Sequence, residues 1–375
     1  MAATCDGSGS AGRGPEASDL VLVLNTGSSS VKVALCNSAG QRHWQEQRAW
    51  SGQGGELALI RLLDDWLEPL LEQAGTTPAL VVHRLVHGGE RFTAPTPLNR
   101  EVLRTLEQLV PLAPLHNGPA LAAIHWLDDR LRQRQRLIPQ WACFDTGFHA
   151  SLKEETYSYA LPLQWREQGL RRFGFHGLNH QHIGETVARQ AGGVRRLVSS
   201  HLGAGCSLCA IEIGDNGIPV SVDTTMGFTP MEGLVMATRS GTVDPGLLLH
   251  LLRGGMTVRE LDEHLNRHSG LLGLSALSGD MRELRAAERS GHPGARLALR
   301  VFRHRLCQGI AAMAASLGGV DAIALSGGIG EHDHALADAL RQDLSWLGAL
   351  QWLVVPADEE GLMVRLCLRA AESKA

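Results

Sequence analysis

At 375 residues the chain is long enough for two ordinary hydrophobic cores, and 44% hydrophobic and 20% charged residues with 43 glycines describe a folded α/β protein, which excludes disordered and fibrous classes. A formal net charge of −4 excludes a general nucleic-acid binder, whose surface must neutralise many phosphates. Seven cysteines, scattered and odd in number, fit reduced thiols in a cytoplasm better than a disulfide framework, and no stretch approaches the length of a membrane span.

Residues 1–18 lack any apolar run and are expected to form a flexible extension. The first strong signal is Val21–Leu35, VLVLNTGSSSVKVAL, two apolar strands joined by a Gly/Ser turn whose small residues let backbone N–H groups approach an anion. Apolar residues at helical spacing predict a helix over Glu56–Ala74, with Gly75 as its stop. A strand over Pro78–Val86 runs into His87-Gly88-Gly89-Glu90 and leaves Arg84 near its end, where α/β sheets place their chemistry. Helical patterns follow at Arg100–Val110 and Pro119–Gln133. The short strand Trp141–Phe144 then delivers Asp145, either a helix N-cap or a group for metal and phosphate.

In the second half, Leu170–His180 precedes a helix that starts near Asn179 and stops at Gly192–Gly193, so His176 sits on a loop before it. The hairpin design returns at Leu197–Ile213, LVSSHLGAGCSLCAIEI, followed by a strand at Val220–Thr224 and a Gly-flanked loop that carries Arg239. Asp244-Pro245 caps a leucine-rich helix. Pro293–Leu317 reads as a long helix apolar on all sides and so buried; it feeds a strand, Ala322–Ser326, that opens into a Gly327-Gly328-Ile329-Gly330-Glu331 turn. A strand at Trp352–Pro356 leads to Asp358-Glu359-Glu360 and a final helix expected to pack back on the first half. Cys206 and Cys209 lack the second pair that a metal or redox motif would want. His180 and His182, two apart, fall on different helix faces, which argues against a zinc site with His176.

Two phosphate-sized hairpins, one per half, suggest a split nucleotide site. Asn25, Ser28, Ser30 and Lys32 on the first hairpin, with Arg84, Asp145, His176, Arg239 and Glu359, are the inventory of phosphoryl transfer, which needs cations around the equatorial oxygens and a carboxylate-held Mg²⁺. No Walker A sequence is present, so the P-loop class is excluded. Taken singly, Arg84 and Arg239 read equally as surface ion-pair partners, His176 as a loop histidine, and Glu359 as a carboxylate stabilised by a helix N-terminus.

At these positions the chain resembles the acetate kinase (acetokinase) family, of the actin-like ATPase superfamily, over nearly everything from residue 20 onward. The carriers are NTGSSSVK (25–32), HRLVHGGE (83–90), LAPLHN (112–117), FDTGFH (144–149), RRFGFHG (171–177), HLGAG (201–205), VDTTMGFTPMEGLVMATRSG (222–241), SGLLGLSALSGDMR (269–282) and GGIGE (327–331). The resemblance implies a two-domain α/β fold of ribonuclease H-like type, with duplicated mixed sheets flanked by helices and a cleft between them. The first domain would be 19–149 plus the terminal helix 359–375; the second, 150–358, would bind nucleotide and form the dimer. The implied activity is reversible, Mg²⁺-dependent transfer of the ATP γ-phosphoryl group to acetate, giving acetyl phosphate and ADP, with propionate or another short carboxylate as the alternative acceptor. A cytoplasmic homodimer that binds neither nucleic acid nor membrane is implied with it.

Carried over position by position, the resemblance puts Asn25 and Glu359 at magnesium, Lys32 with Ser28 and Ser30 at ATP, and Arg84 on the substrate carboxylate. Asp145 resembles the catalytic aspartate, His176 and Arg239 the pair on the transferring phosphoryl group, and His116 a further active-site histidine. Val86, Leu115, Phe175 and Pro230 fall where the family builds its pocket for the substrate methyl. His201, Leu202, Gly203, Ala204 and Gly205 correspond to the phosphate loop, and Asp280, Met281 and Arg282 with Gly328, Ile329, Gly330, Glu331 and His332 to the adenosine pocket. Four positions depart: Ala204 replaces the amide of HLGNG, Leu178-Asn179 replaces Thr-Ser, and His332 replaces an Asn. Ala204 raises the alternative of a nucleotide-binding relative without turnover.

Overall fold

The computed structural model describes residues 20–27, 30–50, 55–73 and 77–373, so the expected N-terminal extension and Gly75 lie outside the described residues. The first half forms one mixed sheet from β1 (Val21–Thr26), β2 (Ser30–Cys36), β3 (Arg42–Ala49), β4 (Leu80–Leu85), β5 (Thr96–Pro97) and β6 (Gln140–Phe144), in the order β3-β2-β1-β4-β6-β5. The second half forms another from β7 (Arg196–Leu202), β8 (Cys206–Ile213), β9 (Pro219–Thr224), β10 (Ala322–Ser326) and β11 (Gln351–Val354), in the order β11-β10-β7-β8-β9. In each, an antiparallel meander of three strands continues into two parallel strands, so β3-β2-β1-β4-β6 repeats as β9-β8-β7-β10-β11. The duplicated mixed sheets are those expected.

Both faces of the inner strands β1, β4, β6, β7, β8 and β10 are covered, which is why these strands read as continuous apolar runs rather than alternating ones. Leu22 and Leu24 of β1 face a helical cluster of Leu59, Leu63, Leu67, Ala123 and Trp126, while Val21 and Val23 face Leu362, Met363 and Cys367 of the terminal helix Glu359–Glu372. The final helix therefore packs on the first sheet, as its position after the second half did not require. On β8, Leu208 and Ala210 face Phe302, Leu306 and Ile310, while Cys209 and Ile211 face Ile183 and Val187. Cys206 and Cys209 thus point to opposite sides of the sheet.

Several expected elements are redrawn. The first long helix runs from Gly55 to Gln73 with one wide turn at Leu63–Leu67, which keeps Leu59, Leu63 and Leu67 in the core. The Pro119 helix begins earlier, at Pro114, and so takes in Leu115, His116 and Asn117; the helix expected from Asn179 begins at Gly177. The Gly327–Glu331 turn is a short helix, Gly327–His332. Pro293–Ser316 is not buried all round: Ala295, Ala298, Leu299, Phe302, Leu306, Ile310 and Met313 form one inward face at three- and four-residue spacing, and Leu297 is exposed. Alanine and leucine on the outer face carried no sign of which side would be covered. The strand Arg42–Ala49 is polar and mostly exposed, so its sequence gave no strand signal.

Three imidazoles are sealed in the first half and its border: His83 on β4, His87 after it, and His149 after β6. Burial pushes each down to about 4, so all three are neutral in the fold and titrate near 6.5 once unfolded. The unfolded chain binds more protons between those values, so the stability they lend is full above pH 6.5 and is lost as pH falls toward 4; at pH 5 linkage puts the loss at about 2 kcal/mol per histidine. Thermal melts are expected to show a level Tm above pH 7 and a steep fall between pH 6.5 and 4. A Tm unchanged from pH 7 to pH 5 would contradict this assignment.

Candidate active site

The parallel core of the first sheet brings three functional groups to one edge. Leu24 of β1 pairs with His83 of β4, and Arg84 pairs with Cys143 of β6, so Asn25, Arg84 and Asp145 stand side by side at the strand ends. Arg84 donates from Nε to Asp145 Oδ1 at 2.9 Å, from Nη2 to Oδ2, and from Nη1 to Asn25 Oδ1 at 3.0 Å. Asp145 is 1% exposed. Burial pushes its carboxyl up to about 6, while Arg84 and the backbone N–H of His176 pull the other way and keep it ionised at pH 7. Asp145 is thus not a helix cap, and Arg84 is not a surface ion-pair partner.

The second half is stitched to this cluster by backbone. Gly177 N–H donates to the Asp145 carbonyl at 2.9 Å, and His176, the residue before the helix, takes a left-handed conformation with φ 55° to allow it. The His176 ring lies with its centroid 4.3 Å from that of His201 and shares a hydrogen with Ser207 Oγ at 2.9 Å through Nδ1. Arg239 donates from Nη1 to the Pro230 carbonyl at 2.7 Å and, among the described residues, meets no carboxylate. Burial lowers its pKa, and this half-buried cation is left to be neutralised by an anion from outside.

Glycine marks the meeting point. The position of a Cβ on Gly205 is 3.1 Å from His176 Nε2 and 3.2 Å from Arg239 Nη2, so both groups converge on the 201–205 loop. That loop is held by Gly203 N–H to the Gly205 carbonyl at 3.0 Å and by Ala237 N–H to the Ala204 carbonyl at 3.1 Å, and Ala204 itself is exposed. His116, on the Pro114–Gln133 helix, is pushed down to about 3 by burial and then by the charges of Arg239 and Arg84, so it is neutral and close to both. Charges from the two halves face each other.

Val86 and Phe175 are buried in a common cluster, and the His87 ring lies against Phe173 and Phe175 with centroids 4.5 and 5.6 Å away. Leu115 is on the helix of His116, and Pro230 meets the group through its carbonyl. Lys32 is opposite Asn25 in the β1–β2 register, and Ser30 opens β2; Ser28 lies outside the described residues. Glu359 begins the terminal helix and makes no hydrogen bond among the described residues; burial would raise its carboxyl, but Arg84, then His201 and Lys32, hold it below its ordinary value.

The expected adenosine residues divide by role. Ser326 is the register partner of His201, and Gly327 packs so tightly on the Leu202 carbonyl that a Cβ would lie 2.6 Å from it, so the Gly327–His332 helix starts beside the 201–205 loop. Arg285 pairs with Asp333 at 3.0 Å and joins the Met281–Arg289 helix to the end of this one. Within that frame Asp280 caps its helix and pairs with exposed Arg282, Met281 and Leu202 are core, and Glu331 accepts from Gly327 N–H and Ala357 N–H, each at 3.0 Å. Gly328, Ile329 and Gly330 line the same short helix, and His332 is exposed at its end.

Residues that sequence reasoning did not single out hold these groups in place. Asn117 accepts from His87 N–H and donates to the His87 carbonyl, fixing the helix of His116 to the strand of Arg84. His149 bridges Ser221 Oγ and the Phe175 carbonyl, and Ser207 links His176 to His180. An Asn after a His or a Ser inside an apolar strand was their only trace. His180 is held by Ser199 and Ser207 and His182 by the Pro356 carbonyl, and among the described residues no group of three His, Cys, Asp or Glu gathers as a metal site.

A Cβ on Gly177 would lie 2.1 Å from the Asp145 carbonyl oxygen. Gly177→Ala is therefore expected to break the stitch between the halves and lower stability by about 1–3 kcal/mol, read by denaturant unfolding. An unchanged midpoint would show that the contact carries no weight.

The acetokinase family model matches residues 45–360. The acetate kinase of Synechococcus sp. (strain JA-2-3B'a(2-13)) is 44% identical over 367 residues, covering 88% of this chain and 88% of its own, and that of Deinococcus radiodurans is 42% identical with 87% and 86% covered. Among solved structures, a propionate kinase from Francisella tularensis superposes with a TM-score of 0.81 at 29% identity, covering 92% of this chain and 98% of its own. Porphyromonas gingivalis acetate kinase gives 0.78 at 30%, covering 94% and 100%. Topology, strand-end cluster and sequence all agree, and the chain belongs to the acetokinase family.

Proposed function

We propose that the chain catalyses reversible, Mg²⁺-dependent transfer of the ATP γ-phosphoryl group to acetate, forming acetyl phosphate and ADP. The observation that carries this reading is the convergence of His176 Nε2 and Arg239 Nη2 on Gly205, while Asn25, Arg84 and Asp145 cluster where Asp145 is tied to His176 and Gly177. Acetate is already ionised at pH 7, so no general base is needed. One carboxylate oxygen attacks the γ-phosphorus in line, the bond to the β-bridging oxygen breaks, and ADP leaves with that electron pair. Catalysis then consists of holding two anions together and stabilising the equatorial oxygens.

Arg239, which meets no carboxylate among the described residues, and His176 take the charge of the transferring group. Arg84 has five N–H donors, and after serving Asp145 and Asn25 it keeps one on each Nη for the acetate carboxylate. Neutral His116 adds a donor or acceptor beside it. Val86, Leu115, Phe175 and Pro230 receive the substrate methyl; one methylene changes such a preference by only about 1–3 kcal/mol, so propionate is the second acceptor. Lys32, Ser28 and Ser30 flank the phosphates from one side and His201–Gly205 from the other. Asp280–Arg282 and Gly328–His332 frame the adenosine, Met281 and Glu331 through the backbone they hold.

Asn25 and Glu359 are the residues that would hold Mg²⁺. Both offer oxygen, the donor a hard cation takes; among the described residues the Glu359 carboxylate has no competing hydrogen bond, and Asn25 Oδ1 keeps a lone pair beyond the one Arg84 uses. When bound, Mg²⁺ neutralises charge on the β- and γ-phosphate oxygens.

The same reading divides the chain into 19–149 with 359–375, and 150–358, supported by the packing of the terminal helix on the first sheet. A homodimer is supported by the Pro245–Arg253 helix, whose five leucines include none that is buried. Six described cysteines are free thiols, and no described helix is long and apolar enough to cross a membrane; the thiols support a cytoplasmic location.

Acyl-phosphate assays with ATP and Mg²⁺ are expected to give product with acetate and less with propionate; none with any short carboxylate, despite measurable ATP binding, would leave only the relative without turnover. Arg239→Ala is expected to lower kcat by at least about 100-fold with little change in acetate KM. Arg84→Ala should affect kcat as well as KM, because it also strips buried Asp145 of its cation; a pure KM effect would separate the two roles. Ala204→Asn, at an exposed loop position, is expected to lower the ATP KM.

A further inference from the structure

Asn179 is the third residue of the Gly177–Gln190 helix and is fully buried. Its Nδ2 lies 2.7 Å from His201 Nδ1 and 3.1 Å from Ser326 Oγ, two residues in register at the ends of neighbouring strands β7 and β10. An amide nitrogen has two N–H groups, and in this orientation both are used while Oδ1 alone has no partner among the described residues. Turning the amide over would bury two orphan donors in place of one orphan acceptor, the costlier arrangement. His201 Nδ1 is therefore an acceptor. Burial keeps the ring neutral, and a neutral imidazole that accepts at Nδ1 carries its proton on Nε2. Nε2 is 3.8 Å from the Cβ position of Gly203, on the side of the phosphate loop.

His201 is the single polar side chain of the 201–205 loop, whose other members are Leu202, Gly203, Ala204 and Gly205. Its tautomer decides whether that loop meets an anion with an N–H or with a lone pair, which a phosphate oxygen repels. We propose that Asn179 is a positioning residue that locks His201 as the Nε2–H tautomer and thereby supplies the loop's side-chain donor to a nucleotide phosphate. This rests on the reading of the loop as a phosphate cradle and adds to it the group that sets the donor. The residue at 179 and the missing amide at 204 then belong together: a loop without a side-chain amide depends more heavily on how its histidine is oriented.

Long-range ¹H–¹⁵N spectra of the histidine side chains of the whole protein, with His201 assigned by His201→Gln, read the tautomer without turnover. The Nε2–H form is expected for His201 in the parent protein, with its resonances moved by Mg-ATP. In Asn179→Leu the Nδ1–H form is expected to appear and the ATP KM to rise about tenfold, with acetate KM unchanged. The same change made on a His201→Ala background should add nothing to the ATP KM. An Nδ1–H tautomer in the parent protein, or an equal KM effect of Asn179→Leu with and without His201, overturns the proposal; the first measurement stands even if the variant folds poorly. ATP turnover with His201 resonances unmoved by Mg-ATP would instead remove the cradle reading, and the proposal with it.

Discussion

An ionised carboxylate shut away from water must be compensated where it stands, and Asp145 is such a group. Arg84 provides the compensation from the next strand, in a two-point contact set by the parallel register of β4 and β6. The same guanidinium reaches the strand beyond to hold Asn25, so one cation orders three strand ends. His176 and Gly177 lend backbone N–H groups to the carboxylate and to the carbonyl of Asp145, and the second half of the molecule is positioned by that pair. The ion pair fixes where the oxygens of the first half stand, and the packing of Val86 and His87 against Phe173 and Phe175 brings the second half to them.

The duplicated topology explains why the halves can share a site, and their chemistry explains why they are not interchangeable. Each sheet carries a small-residue hairpin at the same place in its repeat, β1–β2 in one and β7–β8 in the other. The first half and the terminal helix bring oxygens, from Asn25, Asp145 and Glu359, and bind Arg84 among them. The second half brings Arg239, which meets no carboxylate among the described residues, together with His176 and the loop at His201. In the proposed reaction a nucleotide phosphate between them would meet oxygen on one side and cationic or N–H groups on the other. The terminal helix adds Glu359 to the first sheet only because its apolar face, Leu362, Met363 and Cys367, is complementary to Val21, Val23 and Cys143.

Glycine spacing and apolar strands made much of this legible beforehand. Buried strands flanked by turns announce themselves because both faces must be apolar, and the ordered motifs named the family. The polar strand Arg42–Ala49 did not, because most of it is exposed, and the wide turn at Leu63–Leu67 did not, because it preserves the helical spacing of the leucines around it. The roles of Asn117, His149, Asn179 and Ser207 were unreadable for a different reason. Each acts by a hydrogen bond to a residue at least 22 positions away, and one side chain gives no sign of its distant partner.

By itself the sequence determined the α/β class, the two hairpins, the family and the set of residues available for chemistry, since these follow from local pattern and residue type. Tertiary structure alone decided which of them meet. It paired Arg84 with Asp145 rather than leaving it at the surface, left Arg239 with no carboxylate among the described residues, used Glu331 as a brace for backbone, and turned Asn179 toward His201. Burial and charge are properties of the assembled fold: a carboxylate or imidazole acquires its protonation state only when strands distant in sequence close around it.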